Sequence, residues 1–308
     1  GYVTGCEQFQ SNLRKIVKKN NLLPIIYVIE LLEFLLKEFK NIKPDLVFCY
    51  TIAAAPSLAM ALVAKHLKIK FATFGPTRVY DRTSVDSSDN FLLDIISQKF
   101  KELKNKKIKI DNRAKKYLLD FRKKPMKYGS EYENEKKLYN STKFINFFKN
   151  ILRFIYHMCK SFFVEESLRK SYRNIFGRLR VALKIKYSNG IFDKINLNNK
   201  FVYYPLHVDP EASTMIMSPM HTDQISIIEA ISKSIPFDSY LYVKEHVQMW
   251  GNRNSEFYDK IKRFPKVKLV HPREDNFTLM KSSFAIITIT GTSGMGRNAF
   301  KKTCYIFE

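Results

Sequence analysis

The stretch Phe284-Ala-Ile-Ile-Thr-Ile-Thr-Gly-Thr-Ser-Gly294 constrains this chain more than any other. An apolar run of strand length stops abruptly in small, hydroxyl-bearing and glycine residues, which reads as a buried strand delivered into a turn. Gly291 and Gly294 permit positive φ and close approach of a ligand, while Thr292 and Ser293 bring hydroxyls and backbone N–H groups to the start of a following helix. An anion site is one reading of that turn. A tight strand-to-helix connection with a Thr/Ser cap is the other, and these residues alone do not choose between them.

Upstream, strands and helices alternate. Pro24 opens a stretch with Ile25, Ile29, Leu32, Leu36 and Phe39 at helical intervals, which predicts a core-packed helix. A strand from Leu46 to Tyr50, a helix from Pro56 through His66 and a strand from Lys70 to Phe74 then make a βαβ unit of a parallel sheet. The loop Gly75 to Arg82 that follows is dense in polar groups. The rhythm returns after a turn-rich stretch at Ser188 to Asn199. Strands are predicted at Phe201–Tyr204, Tyr240–Val243, Val267–Val270 and again from Phe284. The helices between them are Asp223–Ser234, capped by Thr222, Ser255–Phe264 and Asp275–Ser282. Polar residues follow each strand at its C-terminal end, the edge where open parallel sheets bind ligands.

Four loops therefore converge on one crevice: Leu206–Glu211 with His207, Lys244–His246, His271–Asp275 and Gly291–Gly294. Each histidine alone is more often a satisfied loop residue. Three of the six histidines, however, fall at the same topological position just past a strand. His, Lys and Arg beside a turn of backbone N–H groups suit a phosphate diester such as the link between a nucleotide and a sugar. No pair has ligand spacing on one helix, so no metal site is expected.

The formal charge of +24 is unevenly spread, with 28 Lys/Arg against 9 Asp/Glu between Lys99 and Lys200. That third of the chain, read as a helical insertion over about 91–194, fits anionic surroundings: acidic phospholipid, acidic glycan or nucleic acid. Within it Asn146–Phe163 mixes large apolar residues with Lys149, Arg153 and Lys160, as does a helix lying on an anionic membrane or packed in a lid. No nucleic-acid motif accompanies the charge, so no specific nucleic acid is expected. Four scattered cysteines indicate neither a disulfide framework nor a zinc site and fit a reducing cytoplasm. No run reaches transmembrane length and no signal peptide is seen. The start at Gly1 rather than Met points to a missing N-terminal piece.

The segments Tyr204-Pro-Leu-His-Val-Asp-Pro-Glu-Ala-Ser-Thr214, Thr222-Asp-Gln224, Tyr242-Val-Lys-Glu-His246, Met249-Trp-Gly251, Asp275-Asn-Phe277 and Ile289-Thr-Gly-Thr-Ser-Gly294 resemble, in this order, the capsule polysaccharide biosynthesis family, which includes the β-Kdo transferases. The resemblance covers about Phe201 to Gly294 and is looser before that. It implies an α/β fold of GT-B type. Two Rossmann-like domains would face each other across a cleft, an acceptor-side domain over 1–195 carrying the insertion and a donor-binding domain over 196–308. It implies a nucleotide-sugar donor, CMP-Kdo in the known members, and no metal or other cofactor. His246 matches a histidine that contacts the donor phosphate, with Val247 where the family has proline. Gly291, Thr292, Ser293 and Gly294 match its phosphate-binding turn.

After Gly294 the family continues with Trp-Glu and later Lys-Pro-Val, whereas this chain reads Met295-Gly-Arg-Asn-Ala-Phe-Lys-Lys. Met-Gly is encoded ATG-GGN, and a step of one nucleotide makes TGG, tryptophan, with Lys-Pro-Val allowed at its usual distance. A one-nucleotide frameshift after Gly294 would explain the tail and predicts a truncated, damaged C-terminal domain.

The expected function is glycosyl transfer in capsule or surface polysaccharide assembly, to a lipid-linked or acidic glycan acceptor. The setting is the cytoplasm, at the inner face of the membrane. Asp81 is the candidate base, Arg78 and Arg82 line the acceptor side, and His246, Lys244, Thr292, Ser293, Gly291, Gly294, His207 and Glu211 the donor side. A capsule-assembly scaffold, a basic nucleic-acid binder and a sugar-nucleotide epimerase are the alternatives.

Overall fold

A computed structural model describes residues 22–52, 54–77, 82–87, 94–104, 106, 111–123, 152, 185, 189–209, 211–215, 217–290 and 303–306. Arg78, Asp81, the turn Gly291–Gly294 and most of the tail after it lie outside these residues, as does nearly all of Asn146–Phe163.

The N-terminal unit begins with α1 (Leu23–Ile42), β1 (Leu46–Cys49), α2 (Ala55–His66), β2 (Lys70–Pro76) and β3 (Thr83–Asp86). β1 and β2 pair in parallel, Leu46 opposite Lys70 through Cys49 opposite Thr73, so the βαβ unit is present. A left-handed lysine follows each helix, Lys43 at φ 51° as the C-cap of α1 and Lys68 at φ 57° just past the Leu67 C-cap of α2, and the Lys43 N–H caps the Phe39 carbonyl. Leu35 of α1 meets Ala59 and Val63 of α2, with Leu31, Leu32, Leu36 and Phe39 packed around them.

Two expectations need correction. The polar loop after Phe74 is a hairpin: β2 runs on to Pro76 and turns back as the antiparallel β3, with Pro76 opposite Thr83. Thr77 closes its base, donating from both N–H and Oγ1 to the Arg82 carbonyl. The strand Thr83-Ser-Val-Asp86 has too little apolar alternation to announce itself and is held by its partner's ladder. Likewise α1 is not buried along its whole apolar stripe: Ile25 and Ile29 are exposed, because α2 covers only the face through Leu35.

α3 (Asp94–Lys104) and α4 (Asn112–Lys123) belong to the basic region and keep their lysines and arginines outward. Phe121 of α4 meets Phe277 edge-on at 5.7 Å.

The C-terminal unit contains β4 (Phe201–Pro205), α5 (Ala212–Met215), α6 (Gln224–Ser234), β5 (Tyr240–Lys244), α7 (Ser255–Lys262), β6 (Val267–Val270), α8 (Asn276–Ser282), β7 (Ala285–Thr288) and β8 (Thr303–Ile306). The strands form one parallel sheet in the order β6-β5-β4-β7-β8. The two faces divide the strand residues by strict alternation. Val202, Tyr204, Leu241, Val243 and Leu269 pack with Ile227, Ile228 and Ile231 of α6 and with Tyr258 and Ile261 of α7. Phe201, Tyr203, Tyr242, Val270 and Ile286 pack with Leu279 and Met280 of α8. Burial on both faces is why these strands read as continuous apolar runs. This is a Rossmann-like α/β unit, wound outward in both directions from the β4/β7 boundary.

The helices start at side-chain caps. Asp223, not Thr222, caps α6 by accepting from the N–H groups of Ile225 and Ser226; Asn254 caps α7 and Asp275 caps α8. The turn-rich stretch before β4 is fastened to the sheet: Asp193 donates its N–H to the Leu269 carbonyl and accepts the Leu269 N–H on its carboxylate, at 2.8 and 2.7 Å. β8 pairs with β7 from Ala285 opposite Thr303 to Thr288 opposite Ile306, so the unusual tail supplies an edge strand.

Ile261 is fully buried in the α7 core and Met220 is almost fully exposed. Ile261→Ala is expected to lower the unfolding free energy of this unit by about 2–5 kcal/mol, and Met220→Ser to change it by less than about 0.5 kcal/mol, in urea titrations followed by Trp250 fluorescence.

Candidate functional site

In a doubly wound sheet the strand order reverses at one place, and the loops leaving the two strands there diverge to open a crevice. Here that place lies between β4 and β7, and the loop from β4 begins Leu206-His207. His207 is 6% exposed, and its Nε2 accepts the Thr290 N–H beyond β7 at 3.3 Å, with the Thr288 hydroxyl at 3.4 Å. Because a backbone N–H can only donate, Nε2 is the acceptor and the neutral ring carries its proton on Nδ1. That Nδ1 is buried without a hydrogen-bond partner among the described residues.

The backbone of His207 is held as firmly as its ring. Its N–H donates to Gln224 Oε1 at 2.7 Å, and its carbonyl accepts from Gln224 Nε2 at 3.2 Å and from the Arg253 guanidinium. Arg253 in turn donates its Nε to Glu245 Oε2 at 3.0 Å; the two side chains are 5% and 0% exposed. Glu245 also accepts from the Tyr258 hydroxyl at 2.8 Å and, through Oε1, from the His246 N–H at 2.6 Å. Burial pushes the Glu245 carboxyl up, and Arg253, Tyr258 and the His246 N–H pull it back. Three donors among the described residues suit the ionised form.

His246 follows β5. Its Nδ1 accepts the Gln248 N–H at 3.2 Å, which places the proton of the neutral ring on Nε2. His207 and His246 are both lowered to about 4, first by burial; Arg253 adds to both, and Lys244 and His207 add to His246. Lys244, at the end of β5, is buried at 3% exposure. His271 has a different part. Its ring stands edge-on between Phe192 and Trp250, at 4.9 and 4.8 Å, its Nδ1 accepts the Arg273 N–H, and Arg273 lies over the Trp250 ring. It forms part of an aromatic wall.

Of the residues read from sequence, His207, Lys244 and His246 come together at this edge. Glu211 does not: it is exposed, and its carbonyl starts α5 by accepting the Thr214 and Met215 N–H groups. Arg82 is exposed at the base of the β2–β3 hairpin; the Asp111 carboxyl is held below its usual range by hydrogen bonds from Arg113, with the Arg82 charge a lesser contribution. Asp81, Arg78, Gly291, Thr292, Ser293 and Gly294 fall outside the described residues. Gln224, Arg253, Tyr258 and Asp209 were not singled out. Asp209, two residues after His207, is exposed, and its carboxyl is raised, first by desolvation and then by Asp223, against the pull of Arg253. Arg253 follows Met249-Trp-Gly251 and could have been noted from that neighbourhood. The described residues hold no group of three or more His, Cys, Asp or Glu fit for a metal ion, and no helix among them is long and apolar enough to cross a membrane.

No family model and no curated protein matches the chain. Solved structures that match include Staphylococcus aureus MnaA with UDP, 16% identical over 91% of this chain and 61% of that one, with a TM-score of 0.30. The UDP-GlcNAc 2-epimerase of Methanocaldococcus jannaschii is 16% identical over 91% and 65%, with a TM-score of 0.31. That of Neisseria meningitidis bound to UDP-GlcNAc is 14% identical over 91% and 63%, with a TM-score of 0.30. The chain thus spans less than two thirds of each of these proteins, and the α/β fold class rests on its own strand order and register.

The lowered histidines set a sign for pH dependence. An unfolded histidine near 6.5 takes a proton before folded His207 does at about 4, so this contribution to stability is complete above pH 6.5 and is lost as pH falls toward 4. Between pH 7 and 4.5 the loss attributable to His207 is expected to be about 2.5 kcal/mol. His207→Gln removes that part of the slope, measured as urea unfolding free energy at the two pH values. An unchanged slope would contradict a neutral buried ring.

Proposed function

We propose that the crevice at the β4/β7 boundary binds the phosphate of a nucleotide sugar, and that the chain is a GT-B-like glycosyltransferase of capsule or surface polysaccharide assembly. One observation supports this above the others: two neutral imidazoles, Lys244 and Arg253 gather where the chain beyond β7 runs on, in sequence, to Gly291–Gly294. His207 Nδ1–H and His246 Nε2–H would donate to phosphate oxygens, with Lys244 supplying charge. Such donors favour departure of the nucleotide because they meet the negative charge as it develops. Thr292 and Ser293 would complete the cradle. Asp81 would take the acceptor's proton with Arg78 and Arg82 beside it. The basic region would keep the enzyme near anionic lipid or an acidic glycan. A CMP-linked sugar such as CMP-Kdo is the donor class that the motif order favours, and neither metal nor other cofactor has a role.

Asp209 favours a second reading, sugar-nucleotide epimerisation. Two residues beyond His207 and within the field of Arg253, its exposed carboxyl would serve as acid or base on the bound sugar without any acceptor. UDP-GlcNAc would be its natural substrate to try. Product analysis without acceptor separates the two: epimerised sugar nucleotide supports the second reading, and turnover that requires a glycan supports the first.

The primary test is a thermal-shift titration with CMP, UDP and GDP. A ligand present at about 100 times its Kd adds about 2.7 kcal/mol to stability, so one of the three should raise Tm clearly, and His246→Ala and His207→Ala should lose most of that rise. A chain carrying the other reading frame after Gly294 is run alongside. Stabilisation only of that chain would mean the present tail damages the donor site. No response in either would favour the non-catalytic scaffold.

A further inference from the structure

The geometry points to Glu245 and Arg253 as a positioning pair that sets His207 and His246 relative to each other across the ends of β4 and β5. The functional consequence rests on the nucleotide-sugar reading of the same crevice.

The sheet ladder ends at Pro205 and Lys244, and the next contacts, Leu206 N–H to the Lys244 carbonyl and Glu245 N–H to the Val270 carbonyl, are its last backbone pairs. Beyond them the backbone polar groups need other partners. His207 receives partners for both its N–H and its carbonyl from side chains, and His246 receives one for its N–H, its carbonyl taking the Met249 and Trp250 N–H groups. One carboxylate serves both directions: Glu245 Oε1 takes the His246 N–H at 2.6 Å, while Oε2 takes Arg253 Nε at 3.0 Å, and the same guanidinium reaches the His207 carbonyl. A planar fork can bridge two acceptors in this way, whereas a lysine ammonium is a single flexible point. Gln224 fixes the remaining freedom of the His207 peptide through its N–H and carbonyl. Once the His207 backbone is set, its Nε2 meets the Thr290 N–H at 3.3 Å, so the geometry of the β4 loop is passed to the segment that follows β7.

The pair is enclosed by apolar and aromatic surface. Arg253 sits 4.4 Å from the Phe257 ring centroid, and Tyr258 closes over Glu245. Buried ion pairs of this kind are often replaced by apolar residues without loss of stability, provided both charges go together. That property separates positioning from stability.

The test uses the full chain as wild type, as Arg253→Lys and as the double variant Glu245→Leu/Arg253→Met. Three quantities are measured: Tm, side-chain nitrogen NMR signals of His207 and His246 between pH 4 and 8, and UDP and CMP binding by calorimetry. Both variants should melt within about 5 °C of wild type. In both, His207 should change from one Nδ1–H tautomer to an averaged signal and titrate nearer 6.5, and nucleotide binding should weaken at least tenfold. Wild-type histidine signals in both variants would overturn the proposal. Failure of the double variant to fold would also overturn it, by assigning the pair to stability. If wild type binds neither nucleotide, the nucleotide-sugar reading fails, and the histidine signals still decide whether the pair positions the rings.

Discussion

A carboxylate and a guanidinium, both nearly inaccessible to water, sit at the end of a parallel sheet and hold the polypeptide where the ladder stops. Removing two charges from water is unfavourable by several kcal/mol for each ion, and their mutual attraction recovers it only when the remaining donors and acceptors are also met. Glu245 and Arg253 meet that condition by reaching outward, to Tyr258 on α7, to the His246 N–H and to the His207 carbonyl. The arrangement therefore depends on α7 starting where it does. Asn254 caps that helix immediately after Arg253, so the cap fixes the arginine's backbone while the guanidinium fixes two loops.

The two imidazoles beyond β4 and β5 are held in opposite tautomers. Each has one ring nitrogen occupied by a backbone N–H, Nε2 in His207 and Nδ1 in His246, which leaves each with a single N–H to offer. Their lowered pKa values keep them neutral near pH 7, and with Arg253 neutralised by Glu245 the positive charge beside them comes from Lys244. In the proposed nucleotide-sugar site, an arriving phosphate would meet directed donors from the rings and the field of Lys244. Such division of labour suits a group whose charge changes during reaction, because the neutral donors need not lose or gain protons as it does so.

Much of the C-terminal unit was legible because burial on both faces writes each strand as an uninterrupted apolar run, and the polar residues beyond each strand fall at one edge by topology. Phe201–Tyr204, Tyr240–Val243 and Val267–Val270 needed only that rule. The strand order needed coordinates, since four similar runs carry no label for their neighbours. The hairpin strand Thr83–Asp86 escaped because its pairing, not its composition, makes it a strand. Ile25 and Ile29 misled for the reverse reason: helical spacing announces an apolar stripe but not how far along it a partner helix extends.

The supporting residues of the crevice were hidden more deeply. His207 meets Arg253 across 46 residues and Gln224 across 17, and both contacts go to backbone atoms, which every residue has. A motif can point to an imidazole because its side chain is the chemistry. It cannot point to the residue that satisfies that imidazole's carbonyl, because any donor of the right reach would do. What makes Arg253 recognisable is the conjunction of a buried carboxylate just past β5, a helix cap beside it and a carbonyl left over at the end of β4. Those three come from separate elements, so only the folded sheet brings them together.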